Sequence, residues 1–172
     1  MNHYRINGQN QWRHWKRVPG AFILGTSLLL MYTQLKSIEF NIFYFQFALG
    51  CALLMFIGPL AILHFEYYIA NKHMSMNISI ANRFVVINQQ SERSEFSFED
   101  IKVVHLFKTI NNVKQRSGLL WEVFHYSEIE LKNGQKFIIT SLMAPDIAWP
   151  LDDSKVMIHE MRWPGINWKW YW

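Results

Sequence analysis

Residues 129–140, IELKNGQKFIIT, contain a turn signal between two segments in which apolar and polar side chains alternate. Alternation with a period of two is typical of a strand with one buried face. A three-residue loop with its glycine in the left-handed conformation pairs Ile129 with Phe137, so that apolar faces meet. The same loop places Glu130 opposite Lys136, so that opposite charges meet. The stretch therefore predicts a β-hairpin with a three-residue loop.

The period of two continues towards the N-terminus of this hairpin. Further strands are predicted at residues 76–80, 83–87, 94–98, 101–107 and 119–131. A polar connection, residues 108–118, separates the last two of these strands. After the hairpin, residues 145–151 predict a short helix whose length Pro150 limits. The pattern predicts a mostly antiparallel β domain over residues 76–156, followed by a Trp-rich tail over residues 157–172.

Two uncharged runs precede this domain, at residues 18–35 and 40–63. A helix rises about 1.5 Å per residue, so the runs reach about 27 Å and about 36 Å, against a hydrocarbon core of about 30 Å. The connection between them allows only a tight turn, and no cleavage signal follows the first run. Residues 18–70 are therefore predicted to form a two-helix transmembrane hairpin, and the fold class is an α+β membrane protein.

The net charge of +4 is unevenly distributed. Residues 1–17 carry four basic side chains and no acidic ones, whereas twelve basic and eleven acidic side chains follow from residue 72 onward. The positive-inside rule places this N-terminal segment in the cytoplasm, and two crossings return the β domain to the same side. The nearly neutral domain lacks the basic footprint of a nucleic-acid-binding protein. The single cysteine, Cys51, excludes a disulfide framework.

Three segments carry a family resemblance: the strand pair at residues 78–87, FSFEDI at residues 96–101, and IELKNG leading into FIITS at residues 129–141. Together with the two apolar runs, they resemble bacterial pleckstrin-homology-like domain proteins, which are small inner-membrane proteins. The resemblance covers residues 76–151 and implies two packed antiparallel sheets closed at one end by a helix. Eukaryotic relatives bind phosphoinositides through a basic loop between the first two strands. Here that turn has only Arg83 beside it, so the resemblance does not imply this activity.

The sequence contains no recognisable catalytic or metal-binding motif. His64, Glu66 and His73 lie near the end of the second apolar run and are the candidates for a proton relay or a metal site. Polar residues also collect where a helix leaves the bilayer. His159 begins a zinc-protease-like pattern, but Trp163 stands where the second histidine is required. We therefore expect a protein that is not an enzyme and has no cofactor and no metal.

Two groups of side chains are candidates for binding. Lys108, Lys114 and Arg116 lie in the polar connection and suit phosphate headgroups or an acidic peptide, although an ordinary solvated loop has the same composition. The second group combines tryptophan with basic residues, as at a membrane interface. Its members are Trp12, Trp15, Lys16, Arg17, Trp163, Trp168, Trp170 and Trp172. The tail tryptophans either lie in the interface or pack back on the β domain.

These observations favour a non-enzymatic, membrane-anchored interaction module. It would present its β domain at the cytoplasmic face of an inner membrane to a protein partner or to a second copy of the chain. A domain that senses anionic lipids through the polar connection and the tail is the first alternative. A small membrane enzyme or a transporter accessory subunit, using the candidate relay residues, is the second.

Overall fold

A computed structural model describes residues 2–35, 42–116 and 119–166. The N-terminal elements are β1 (Asn2–Arg5), α1 (Gly8–Trp15), α2 (Val18–Leu35) and α3 (Ile42–Asn71). The following elements are β2 (Met74–Ser79), β3 (Phe84–Gln89), β4 (Glu92–Ser97), β5 (Ile101–Thr109), α4 (Ile110–Val113), β6 (His125–Leu131), β7 (Lys136–Thr140) and β8 (Val156–Met161). Two 3₁₀ turns cover Leu120–Val123 and Asp153–Lys155.

The strands form two four-stranded sheets, in the orders β1-β2-β3-β4 and β7-β6-β5-β8. Every pairing is antiparallel except that of β8 with β5, which is parallel. Alternate side chains of both sheets, such as Met76, Val85 and Ile129, are buried in one hydrophobic core. The predicted α+β class with antiparallel sheets is confirmed.

The hairpin between β6 and β7 has the predicted register. Ile129 lies opposite Phe137, and Glu130 lies opposite Lys136. Gly134 has a φ of 87°, a conformation that strongly favours glycine. The three-residue loop is confirmed.

The N-terminal strand β1 is part of the first sheet. It pairs antiparallel with β2, with Tyr4 opposite Met76. Since α1, α2 and α3 lie between β1 and β2 in the chain, the three helices are an insertion between neighbouring strands of one sheet. The sequence interpretation had assigned residues 1–17 to a separate segment and residues 157–172 to a tail, whereas these ranges supply β1 and most of β8.

The predicted helix at residues 145–151 is wrong, because this segment has no regular secondary structure. Its two prolines lack the N–H groups that a helix requires. The segment instead lies against the core through half-buried side chains, among them Trp149, whose indole N–H donates to Ser127 Oγ at 3.2 Å. The short helices of the structure are α1 and α4.

The predicted strand at residues 119–131 is also shorter than expected, because residues 120–123 form a 3₁₀ turn. The Glu122 carboxylate fixes this turn by accepting from the Leu119 N–H at 2.7 Å and from the Asn111 side chain at 3.0 Å. The strand therefore begins only at His125.

The C-terminal part of α3 packs on the outer face of the second sheet. Leu60, Leu63 and Tyr67 are fully buried there, in a second hydrophobic cluster. At the end of the helix, Asn71 Nδ2 donates to the Ile138 carbonyl at 2.8 Å, and Asn71 Oδ1 accepts from the Thr140 N–H at 2.7 Å. The Asn71 side chain thus forms the two hydrogen bonds with the backbone of the edge strand β7 that a neighbouring strand would form. These bonds fix α3 to the sheet.

The rest of α3 and most of α2 expose apolar side chains, such as Ile23 and Leu54. By length and composition, α3 is the one helix in the described part of the chain that is long and apolar enough to cross a membrane. The first predicted run matches α2, whereas the second, predicted at residues 40–63, forms a helix at Ile42–Asn71. The predicted turn between them, residues 36–39, lies outside the described residues. The predicted pair of transmembrane helices is therefore supported for its second helix alone.

Candidate functional site

Basic side chains from two distant parts of the sequence meet at the N-terminal end of α2. Arg13, Lys16 and Arg17 come from α1 and the turn that follows it, and Lys108 comes from the end of β5. They line a cavity of about 490 Å³, which we call the cationic cleft. Its other lining residues are His14, Leu106, Asn112, Val123, His125, Pro145, Asp146 and Ile147.

Hydrogen bonds at both ends hold α1 in place as one wall of the cleft. At its start, the Asn7 side chain caps the helix by accepting from the Asn10 N–H at 2.8 Å. The Asn10 side chain then donates to the Met143 carbonyl at 3.2 Å. Near the end of α1, the Arg13 guanidinium forms a bidentate ion pair with the Asp146 carboxylate. The helix is therefore fixed to the segment that follows β7.

The positive charge of the cleft is only partly compensated. Arg13 is paired, and its guanidinium lowers the pKa of the Asp146 carboxyl. No carboxylate in the described part of the chain lies within ion-pair distance of Lys16, Arg17 or Lys108. Three uncompensated cations therefore surround one opening, an arrangement that attracts an anion.

Two histidines complete the walls, and both are neutral at pH 7. His14 is buried, and burial lowers its pKa to about 4. Its Nδ1 lies 2.9 Å from the Asn10 carbonyl and its Nε2 lies 3.1 Å from Ser141 Oγ, which assigns the proton to Nδ1. Burial and the nearby Lys108 lower the pKa of His125 to about 4. The positive charge of the cleft at neutral pH thus comes from lysine and arginine alone.

The structure separates the three candidate residues of the polar connection. Lys108 lies in the cleft, whereas Lys114 and Arg116 are exposed beyond the end of α4 and do not line it. Glu122 fixes the first part of the polar connection. Its backbone carbonyl accepts hydrogen bonds from the side chains of Thr109 at 3.2 Å and Asn112 at 3.0 Å. Residues 108–113 are therefore a strand end and a short helix rather than a loop.

The candidate interface tryptophans have different surroundings. Trp12 is 62% exposed on α1, close in sequence to the cationic cleft. Trp15 is half-buried and its indole N–H donates to His64 Nδ1 at 3.1 Å. Trp163 packs against the second hydrophobic cluster. Trp168, Trp170 and Trp172 lie outside the described residues.

The described start of the tail packs back on the protein. The Tyr67 hydroxyl donates to the Pro164 carbonyl at 2.6 Å, and the Ile166 N–H donates to the Glu66 carboxylate at 3.3 Å. Pro164 and Gly165 are buried. Residues 163–166 therefore form a strap over α3, in line with the packing alternative for this part of the tail.

The candidates for enzymatic chemistry do not share a site. His64 contacts Trp15, Glu66 contacts the tail, and His73 is exposed at the start of the first sheet. Among the described residues, no three histidine, cysteine, aspartate or glutamate side chains are placed to hold a metal ion. The geometry gives no support to a proton relay through these three residues.

Sequence reasoning missed four residues of the cleft: Arg13, His14, His125 and Asp146. The basic run RHWKR at residues 13–17 was the available signal, and the sequence analysis attributes it to membrane topology and to the membrane interface.

A family model described as a PH domain matches residues 3–147. The matched range includes both sheets as far as β7, the three inserted helices, and every residue that lines the cationic cleft. A comparison with curated proteins gives no match, and neither does a comparison with solved structures.

Proposed function

We propose, from the premise that this chain belongs to the PH domain family, that it is a non-enzymatic, membrane-anchored interaction module that binds an anionic phospholipid headgroup in its cationic cleft. The observation that carries the proposal is the set of three uncompensated cations, Lys16, Arg17 and Lys108, at the start of α2. Phosphate is the anion for which such a cluster is best suited, since each cation can donate hydrogen bonds to it.

The lengths of the helices support placement of the cleft at the membrane surface. α2 has eighteen residues, and α3 has the same number, residues 42–59, before Leu60 becomes buried in the domain. Each stretch reaches about 27 Å, close to the hydrocarbon thickness of about 30 Å. Among the described helices, only α3 is long and apolar enough by composition to cross a membrane, and we propose α2 as its partner in a hairpin. In that hairpin, Lys16 and Arg17 would directly precede the membrane core and lie at the level of the headgroups.

Orientation follows from the same charges. The basic segment before α2 favours the cytoplasmic side, so the cleft would face the cytoplasmic leaflet of a bacterial inner membrane. Anionic lipids in that leaflet add an attractive surface potential for basic residues. The lipid hypothesis is preferred to a protein partner because the unpaired cations adjoin the proposed span.

The proposal is tested on the full-length protein in nonionic detergent. Native mass spectrometry would compare the phosphatidylglycerol and phosphatidylcholine that the protein retains from an equimolar mixture. The test variant combines Lys16→Gln, Arg17→Gln and Lys108→Gln. A basic residue near an anionic surface contributes about 1 kcal/mol, so the triple change should lower the association constant for phosphatidylglycerol by about a hundredfold.

A matched control removes the same charge elsewhere. Lys114→Gln, Arg116→Gln and Lys132→Gln replace three exposed cations outside the cleft. This variant should retain phosphatidylglycerol as the wild type does. Equal losses in the two variants would show that only overall charge matters, and unchanged retention in the cleft variant would refute the proposal.

A further inference from the structure

An apolar groove runs between α2 and α3, with a cavity volume of about 460 Å³. Gly25 opens one wall, because no atom lies within 4 Å of the position that a Cβ would occupy there. Leu49, Ala52 and Leu53 line the opposite wall on α3. Thr26 also lines the groove, and its hydroxyl donates to backbone carbonyls of its own helix at 2.9 and 3.0 Å. The groove therefore presents an apolar surface.

The groove and the cationic cleft adjoin each other along the chain. Arg17 lines the cleft and its neighbour Val18 lines the groove. The same is true of the 3₁₀ turn, where Val123 lines the cleft and Leu120 lines the groove. The two cavities are thus neighbours at two places along the chain, and one elongated molecule with a charged end and an apolar end could occupy both.

The length of the groove along α2 matches the length of an acyl chain in one leaflet of a bilayer. Along α2 the lining extends over twelve residues, from Val18 to Leu29, and the eleven steps between them reach about 17 Å at about 1.5 Å per residue. One leaflet of a bilayer has about half of the hydrocarbon thickness, or about 15 Å. The groove therefore begins at the headgroup level of the cleft and ends near the bilayer centre, as an acyl chain does.

We propose that one acyl chain of an anionic glycerophospholipid lies in this groove while its headgroup lies in the cationic cleft; this inference rests on the proposed function. The protein would then hold a single lipid at a defined site. A second copy of the chain is a less suitable occupant, because a helix of a partner would not account for the position of the groove next to a cationic site.

The test places the full-length protein in nanodiscs of phosphatidylcholine. One sample contains a small fraction of phosphatidylglycerol with a photoactivatable diazirine in an acyl chain, and the other contains the matching phosphatidylcholine probe. The phosphatidylglycerol probe should label Gly25 and Ala52, in the groove, several-fold more than the phosphatidylcholine probe does. Both probes should label Ile23 and Leu54 equally, because these exposed residues do not line the groove.

Filling the groove provides the decisive variant. Gly25→Leu places a side chain in the open space, whereas Gly20→Leu introduces the same residue in α2 outside the groove. We expect Gly25→Leu to lower groove labelling by phosphatidylglycerol to the level of the phosphatidylcholine probe. Gly20→Leu should leave the labelling unchanged.

The possible results separate the two proposals. Equal labelling of the groove by both probes, with cleft-dependent retention of phosphatidylglycerol intact, would overturn the acyl-chain inference and leave the proposed function standing. If the cleft variant retained as much phosphatidylglycerol as the wild type in the native mass spectra, both proposals would be overturned. Cross-links between two protein chains through Gly25 or Ala52 would assign the groove to a second copy and overturn the inference.

Discussion

Acidification should destabilise the fold through His14. Its imidazole is buried against the Phe124 ring, with the Asn10 carbonyl, Ser141, His64 and Arg13 around it, and its pKa is about 4. A histidine in an unfolded chain titrates near pH 6.5. Because the folded pKa lies below the unfolded one, the unfolded chain binds more protons as the pH falls. The stabilisation is therefore complete above about pH 6.5 and is lost as the pH decreases towards 4.

The size of the effect follows from the two pKa values. Between pH 7 and pH 5, proton linkage at a single site of this kind lowers the free energy of unfolding by about 2 kcal/mol. The measurement is chemical denaturation of the full-length protein in nonionic detergent, followed by tryptophan fluorescence at both pH values. In His14→Gln this contribution is absent, so the wild type should lose about 2 kcal/mol more than the variant does.

A control separates this site from general acid sensitivity. His73 is exposed, and His73→Gln should show the same pH dependence as the wild type. His125 is present in all three proteins, so its own contribution cancels in the comparison. Identical losses of stability in the wild type and His14→Gln would refute the assignment of a neutral, buried histidine.

Two further predictions concern the anchor of α3 and the cleft. Asn71→Leu removes the partners of the Thr140 N–H and the Ile138 carbonyl, at about 1–3 kcal/mol each, so the same denaturation assay should show a loss of about 2–6 kcal/mol. The exposed Asn82→Leu should change stability by less than about 1 kcal/mol. A bound phosphate should raise the pKa of His125, so retention of phosphatidylglycerol should increase as the pH falls from 6.5 towards 4. His125→Gln should flatten this dependence, and an equal increase in that variant would contradict the role of His125.

Local sequence patterns predicted the parts of the fold whose partners are close in sequence. The β6–β7 hairpin is the clearest example, because turn geometry and alternation together permit one register for Ile129 and Phe137. The β2–β3 pair, with Ile78 opposite Val85, follows the same logic. In both cases the information lies within about fifteen residues of sequence.

Other elements depend on contacts that no local pattern contains. β1 is four residues long, and its partner strand begins about seventy residues later, after three helices. β8 pairs in parallel with β5, Val156 opposite Val104, about fifty residues away. Short strands with mixed side chains carry a weak period-two signal, so tertiary pairing rather than propensity decides their conformation.

The cationic cleft could be predicted only in part for the same reason. Lys16, Arg17 and Lys108 were each candidates, but the local patterns indicated separate roles for them, at the membrane interface and in a polar loop. Their proximity depends on the insertion of the helices between β1 and β2, which returns α1 to the second sheet. Arg13 also had no visible partner, because Asp146 lies more than 130 residues away.

The insertion has a consequence for the proposed function. A domain joined to its anchor by one flexible linker can move relative to the bilayer, whereas here β1 enters the helices and β2 leaves them within the same sheet. Asn71 and the fully buried Tyr67 further fix α3 to the second sheet. The cleft therefore has a set height relative to the proposed span, and under the proposed function a lipid headgroup at that level would meet its cations without any reorientation of the domain. Folding then already fixes the orientation of the cleft relative to the bilayer, so that binding of a lipid loses less orientational entropy. This favours recognition of a lipid within the bilayer over capture of a ligand from solution.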